Sequence, residues 1–224
     1  MQYQAILFDF DGVLGDTMQD NYRAWSRVLL EYGIDLTHKE YFMLEGLSVE
    51  AVAETILARH DRDFSDVATV VALKDKYYLE DNHFRFFPGA AELVAELGER
   101  FPLGLVTGGG SERLRYSAGK DFLSQFQVVV TGDAGARSKP APDPYLLAAQ
   151  SLNVHPGACL VIENAPVGIQ AARSAGMFCV AICSTLAAEY LREADLLVPD
   201  LQSLRHLLIT SDKLTGIDHA FTQL

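Results

Sequence analysis

Phe8-Asp9-Phe10-Asp11-Gly12-Val13-Leu14-Gly15-Asp16-Thr17, reached through the apolar run from Tyr3 to Phe8, is the stretch that decides the fold. The run predicts a buried strand. Two carboxylates stand where it ends, at the carboxyl edge of a sheet, where open α/β folds bind ligands. Asp9 and Asp11 are two residues apart, so both side chains point the same way if extended geometry continues, with Phe10 turned into the core. Carboxylates this close repel unless a proton or a cation lies between them, and a hard divalent ion such as Mg²⁺ suits the pair. One could attack an electrophile while the other handles a proton, and Gly12 permits a sharp turn behind them. The competing reading is an acidic pair on a surface loop; the apolar residues before it and the glycine after it favour a functional site.

Composition permits this chemistry. The 224 residues suffice for one core and a smaller module, and 49% hydrophobic with 21% charged residues is ordinary for a soluble globular protein. A net charge of -12 leaves no basic footprint for nucleic acid, yet it allows a small anionic substrate held by a local lysine and a metal. No apolar stretch is long enough to span a bilayer and the N-terminus lacks a signal-peptide pattern, so no membrane partner is expected. Cys159, Cys179 and Cys183 are an odd count without ligand spacing; the first two read as small core residues in a reducing cytoplasm. The six histidines are scattered and form no ligand motif.

Beyond Thr17 the apolar period becomes helical. Tyr22, Trp25, Val28, Leu29 and Tyr32 share a face, and Gly33 can end that helix. Tyr22 and Trp25 suit either a core position or stacking on a ligand. Thr37 with Glu40 resembles a capping box, Ser48 can cap the series Val49, Val52, Ile56 and Leu57, and another helix is expected over 67–79. The expectation is an α/β core of residues 1–16 and 87–224 with a helical insert, residues 17–86.

The α/β pattern resumes at Pro88-Gly89, with a helix to Arg100 and a strand Leu103-Gly104-Leu105-Val106 that ends at Thr107. Gly108, Gly109 and Gly110 follow, before a helix near Glu112 to Lys120. They form either a flexible loop or a row of backbone N–H groups that could hold an anion beside the Thr107 hydroxyl. After a strand at Val128–Val130 comes Ser138-Lys139-Pro140-Ala141-Pro142-Asp143-Pro144, whose prolines would fix where one lysine's charge is placed. A fourth strand, Cys159 to Ile162, runs into Glu163-Asn164-Ala165-Pro166, again oxygen ligands at a strand's carboxyl edge. Val167-Gly168 opens an alanine-rich helix, and strands at 178–182 and 196–198 complete a mostly parallel, Rossmann-like sheet with helices on both faces.

The motifs FDFDGVLGDT, SKPAPDPY and ENAPVGIQAARSAGM, with Thr107 between the first two, resemble the haloacid dehalogenase-like superfamily, within it the phosphatase and β-phosphoglucomutase-like group with a helical cap. The resemblance covers all but about the last fifteen residues. It implies that Asp9 is a nucleophile forming an aspartyl-phosphate, Asp11 the acid/base, Thr107 the hydroxyl that holds the phosphoryl group, and Lys139 its counter-charge. It also implies Mg²⁺ at the Asp9 carboxylate and the Asp11 carbonyl, helped by Glu163 and Asn164. Candidate substrate contacts are Asp16, Asn21, Trp25, Glu45, Ser48, Gly108 and Gly109. The implied protein is a monomer or weak dimer acting on a small phosphorylated metabolite.

Two departures bear on function. Asn164 stands where the family has its principal aspartate ligand, so weaker Mg²⁺ binding is expected, with Glu163 taking more of the load. In the cap, Asn21, Glu45 and Val49 replace a histidine, a lysine and an arginine of the β-phosphoglucomutases. Losing two cations from the grip on a second phosphate favours a phosphatase over the mutase. Lys39, Lys74 and Lys76 read as helix-surface charges, against phosphonatase chemistry. A signalling receiver would lack the helical insert, and a non-catalytic scaffold is the reading that Asn164 leaves open.

Overall fold

The computed structural model describes residues 3–63 and 66–210. The run behind the acidic pair forms β1 (Ala5–Phe8), buried throughout. Its side chains alternate: Ile6 and Phe8 enter one apolar cluster, Ala5 and Leu7 another on the opposite face. The other strands are β2 (Leu103–Val106), β3 (Val128–Val130), β4 (Cys159–Glu163), β5 (Phe178–Ile182) and β6 (Leu196–Val198). All pair in parallel, in the spatial order β3-β2-β1-β4-β5-β6. The chain thus runs outward from β1 to β3 and restarts with β4 on the other side of β1. That reversal opens a crevice at the carboxyl ends of β1, β2 and β4, where α/β folds bind ligands. Phe8 registers with Leu105 and Ile162, so the residues that follow these strands converge there.

Helices cover both faces, as the βα alternation predicts. On one side lie α5 (Ala90–Gly98), α6 (Ser111–Ala118), α7 (Lys120–Leu123) and α10 (Leu201–Thr210), contributing Leu93, Leu114, Phe122 and Leu204. On the other lie α8 (Asp143–Ser151) and α9 (Pro166–Ser174), whose Ala148, Ala171 and Ala172 allow close approach to the sheet. Cys159 and Cys179 are free and buried in that second cluster. Two helices depart from expectation: Gly119 breaks the segment after the triple glycine into α6 and α7, and α10 follows β6.

Between β1 and α5 the chain forms α1 (Met18–Glu31), α2 (His38–Phe42), α3 (Val49–Arg59) and α4 (Val67–Asp81), a helical cap with its own apolar cluster around Trp25, Val28, Leu29, Ile56 and Val70. Both expected caps form: Thr37 Oγ1 accepts from Glu40 N at 3.2 Å and Ser48 Oγ from Ala51 N at 3.3 Å. Each is worth about 1 kcal/mol. The two linkers run side by side, Asp16 N donating to Arg85 O at 3.0 Å and Phe87 N to Leu14 O at 2.9 Å. This pairing holds the cap over the crevice. Among the described residues no helix is long and apolar enough to cross a membrane.

Candidate active site

Asp9 is anchored by its own amide, which donates to Ile162 O at 2.9 Å across the β1–β4 edge. Its Oδ1 accepts from Lys139 Nζ at 2.6 Å, and the same ammonium donates to Glu163 Oε1 at 2.7 Å and Val106 O at 3.1 Å. Three acceptors match the three hydrogens of an ammonium, so Lys139 is held in place from β1, β2 and β4 at once. Glu163 is held as firmly. Tyr145 donates to Oε1 at 2.7 Å, and the amides of Asn164 and Ala165 donate to Oε2 at 3.0 and 3.4 Å. Burial pushes the Asp9 carboxyl up to about 8, with Glu163 and Asp11 adding to the effect and Lys139 opposing it.

Asp11 has a different environment. Arg113, 6% exposed on α6, grips it with both branches of its guanidinium, Nη1 to Oδ1 at 2.9 Å and Nη2 to Oδ2 at 2.6 Å. Thr17 Oγ1 also donates to Oδ1, at 2.5 Å, Asn21 Nδ2 approaches it at 3.5 Å, and Thr107 Oγ1 donates to Oδ2 at 3.3 Å. Burial alone would raise this carboxyl, but Arg113 overrides it and holds it down at about 2. The two aspartates thus sit in opposite electrostatic environments, Asp9 buried among acids and one lysine and Asp11 held ionised by a guanidinium.

Between this edge and the cap lies a narrow cleft lined by Asp9, Asp11, Thr107, Asn21, Trp25 and Glu45 among others. Trp25 serves both readings, packed in the cap cluster and facing the cleft. Tyr22 does not face it: its ring stacks on His38 and its hydroxyl donates to Leu36 O at 2.9 Å. Glu45 is buried, its Oε2 has no partner, and burial together with Asp11 and Asp9 raises its carboxyl well above the usual range. The loop that carries Glu45 reaches the core: a methyl on Gly108 would overlap the main-chain oxygen of Leu47, so only glycine lets the cap approach here.

Several expectations need correction. Lys74 is not a surface charge: it is 1% exposed, lines the cleft, and lies 5.8 Å from the Trp25 ring and 5.2 Å from the Tyr78 ring. Burial, then repulsion from Arg113, lowers its ammonium to about 8. The cleft has therefore not been stripped of cations; the cap supplies Lys74 from α4 and the core supplies Arg113 from α6. Asp16 and Ser48 do not reach the cleft, because Asp16 pairs with Arg85 at 2.7 Å and the Ser48 hydroxyl caps α3. Gly108 and Gly109 do line the cleft beside Thr107, but the Gly109 N–H is already engaged, donating to Thr107 Oγ1 at 3.0 Å. The start of α6 is already served by Asp133, whose Oδ2 accepts from Ser111 N at 3.2 Å. Arg113 escaped the sequence reading although it shares the buried side of α6 with Leu114, Ser117 and Ala118. Lys74 lies on a stripe of fourth residues, Val70, Lys74 and Tyr78, which was the available signal.

Oxygen ligands for a cation exist beside Asp9. Asn164 is fully buried; its Nδ2 donates to Thr185 Oγ1 at 3.1 Å while its Oδ1 has no partner. An orphaned amide oxygen next to a carboxylate fits a hard cation. Gly12, at φ +81°, makes this approach possible, since a methyl there would overlap the Asn164 amide. Glu163, expected to take more of the metal's load, has both carboxylate oxygens already engaged, Oε1 by Lys139 and Tyr145 and Oε2 by the amide of Asn164. Among the described residues no three His, Cys, Asp or Glu side chains converge as a ligand set, so a metal here would draw on the Asp9 carboxylate, the Asn164 amide and the Asp11 main-chain carbonyl.

Comparison with known proteins agrees with this geometry. The sequence model described as haloacid dehalogenase-like hydrolase matches residues 6–182. Validoxylamine A 7'-phosphate phosphatase of Streptomyces hygroscopicus subsp. limoneus is 36% identical over 210 residues, covering 91% of this chain and 96% of that protein. Among solved structures, β-phosphoglucomutase from Clostridium difficile superposes with a TM-score of 0.79 at 27% identity, covering 93% of this chain and 96% of the other. CbbY from Rhodobacter sphaeroides in complex with phosphate gives 0.76 at 27% identity, covering 91% and 96%.

Proposed function

This chain belongs to the haloacid dehalogenase-like hydrolase family, and from its site we propose a Mg²⁺-dependent phosphatase that hydrolyses a small phosphate monoester, a sugar phosphate or similar metabolite. The observation that carries the reading is Asp9, which lines a capped cleft and is tied at 2.6 Å to a fully engaged Lys139, with Asp11 two residues on. An Asp9 oxygen attacks phosphorus, the bond to the leaving oxygen breaks, and Asp11 gives that oxygen its proton. Asp11 then takes a proton from water, whose oxygen attacks phosphorus; inorganic phosphate leaves and the Asp9 carboxylate is restored. Thr107 and Lys139 hold the transferring group and balance its charge. Mg²⁺, held by Asp9, Asn164 and the Asp11 carbonyl, would lower the repulsion between carboxylate and phosphate.

The cap, residues 17–86, would exclude water once closed, as the contact of Leu47 with Gly108 allows. Glu45 sets a carboxyl group with an unpartnered oxygen in the cleft, which suits the hydroxyl of a polyol. Lys74 and Arg113 support a second reading, a β-phosphoglucomutase-like sugar phosphomutase, because a bisphosphate needs such cations. Three free cysteines agree with a cytoplasmic setting.

The test is Mg²⁺-dependent phosphate release from a panel of monoesters, with Asp9→Asn as the blank and β-glucose 1-phosphate products checked for glucose 6-phosphate. Release that vanishes in the blank supports the phosphatase. Glucose 6-phosphate formed without phosphate release replaces it with the mutase.

A further inference from the structure

Asp11 poses a problem for any mechanism that uses it as an acid and base. A carboxylate gripped by both branches of a guanidinium, with hydroxyls on both oxygens, has no lone pair free to carry the proton that a leaving oxygen needs. Something must draw those donors away. Two of them, Arg113 and Thr107, stand at the cleft wall beside Asp9, where a phosphoryl group would have to lie. Carboxylate and phosphate offer a guanidinium the same pair of oxygens.

We propose that Arg113 grips the phosphoryl oxygens of the substrate, and that in the free protein the Asp11 carboxylate holds their place. An arriving phosphoryl group takes over the guanidinium and the Thr107 hydroxyl, and Asp11, no longer held ionised, takes up the proton that the substrate monoanion carries and turns with it toward the leaving oxygen. Substrate arrival and exposure of the acid are then one event. This rests on the phosphatase reading and adds to it a phosphate ligand outside the sequence motifs.

Three further observations support the exchange. Arg113 Nε is buried without a partner, so the two oxygens of Asp11 do not saturate this guanidinium, whereas a phosphoryl group has an oxygen to spare. The loop is shaped for Arg113: a methyl on Gly109 would overlap the guanidinium, which explains a glycine whose own N–H is occupied. Lys74 and Arg113 share the Tyr78 ring, with distances to its centre of 5.2 Å each. Two buried like charges on one ring are complementary to an anion carrying more than one negative charge.

The experiment titrates inorganic phosphate, with Mg²⁺ present, into the full-length protein and its Arg113→Met and Arg113→Lys variants by calorimetry. Turnover of p-nitrophenyl phosphate, whose leaving group needs no proton, is measured beside that of an alkyl phosphate. Arg113→Met should weaken phosphate binding by at least about tenfold, the worth of a hydrogen-bonded charge, and slow both substrates. Arg113→Lys, which keeps the charge but loses the fork, should fall between, and decides the matter if the Met variant does not fold. Unchanged phosphate affinity, with only the alkyl phosphate slowed, would overturn the proposal and leave Arg113 as a prop for Asp11. Wild-type protein that releases phosphate from no monoester, yet binds phosphate through Arg113, refutes the phosphatase and keeps this assignment. Wild-type protein that does not bind phosphate refutes both.

Discussion

Replacing Lys74 by methionine should make the protein more stable and less active at once. The ammonium is 1% exposed, its hydrogen-bond partner is Asp75 at 3.3 Å, and Arg113 stands near enough to repel it. Burial and that repulsion lower its pKa from 10.5 to about 8. At 1.36 kcal/mol per unit, the charged form is held against a penalty of about 3 kcal/mol. Contacts with the Trp25 and Tyr78 rings return about 1 kcal/mol, so Lys74→Met should gain about 2 kcal/mol at pH 7. Linkage fixes the pH window. Below about pH 8 the lysine is protonated in both folded and unfolded chains and the penalty is constant. Between about 8 and 10.5 only the unfolded chain keeps the proton, so wild-type stability rises with pH and the advantage of the variant fades. Urea unfolding of both proteins at pH 7 and pH 10 measures this, alongside kcat/KM, which should fall because the cleft loses a cation. A variant less stable than wild type at pH 7, or a difference that ignores pH, would refute the reasoning.

Three other substitutions probe the supports of the site. Glu163→Gln removes one of two carboxylates on a buried ammonium and should cost about 3 kcal/mol in denaturant unfolding; a loss under about 1 kcal/mol means that Lys139 is held by Asp9 alone. Gly12→Ala places a side chain at φ +81°, costing about 1–2 kcal/mol, and pushes on the Asn164 amide, so half-saturation of activity should need more Mg²⁺; an unchanged Mg²⁺ titration contradicts this. Asn164→Asp adds a negative charge beside Asp9 and should tighten Mg²⁺ binding by about tenfold, a shift of about 1.4 kcal/mol; equal affinities by direct titration would show that the amide loses nothing.

What could be read from the sequence follows from how each residue is placed. Asp9, Thr107 and Glu163 come at the end of short apolar runs, and Lys139 sits among prolines, so local pattern locates all four at one sheet edge. The four inner strands were legible for the same reason, since buried parallel strands read as unbroken apolar runs, while the edge strands β3 and β6 are partly exposed and showed only as apolar triplets. Lys74 and Arg113 were not, because a cation on a helix is ordinarily solvated and only tertiary packing reveals that these two face a cleft. The helix α10 was missed although Leu201, Leu204 and Leu208 follow a helical period; it lies beyond the last motif that directed the reading. The triple glycine was legible as part of the site, but not the reason for its glycines. Its glycines provide room for Leu47 and for the Arg113 guanidinium, a role that depends on chain segments far away in sequence.

The central claim is that Asp9 carries the phosphoryl group, and the most direct measurement is mass spectrometry of the acid-quenched protein after brief exposure to a turned-over monoester and Mg²⁺. Asp11→Asn should be run beside the wild type, because removing the group that activates water slows hydrolysis of the intermediate. The account predicts a phosphate adduct on the peptide holding Asp9, absent from Asp9→Asn and more abundant in Asp11→Asn. Turnover with no adduct under either condition, or an adduct on another residue, would contradict it.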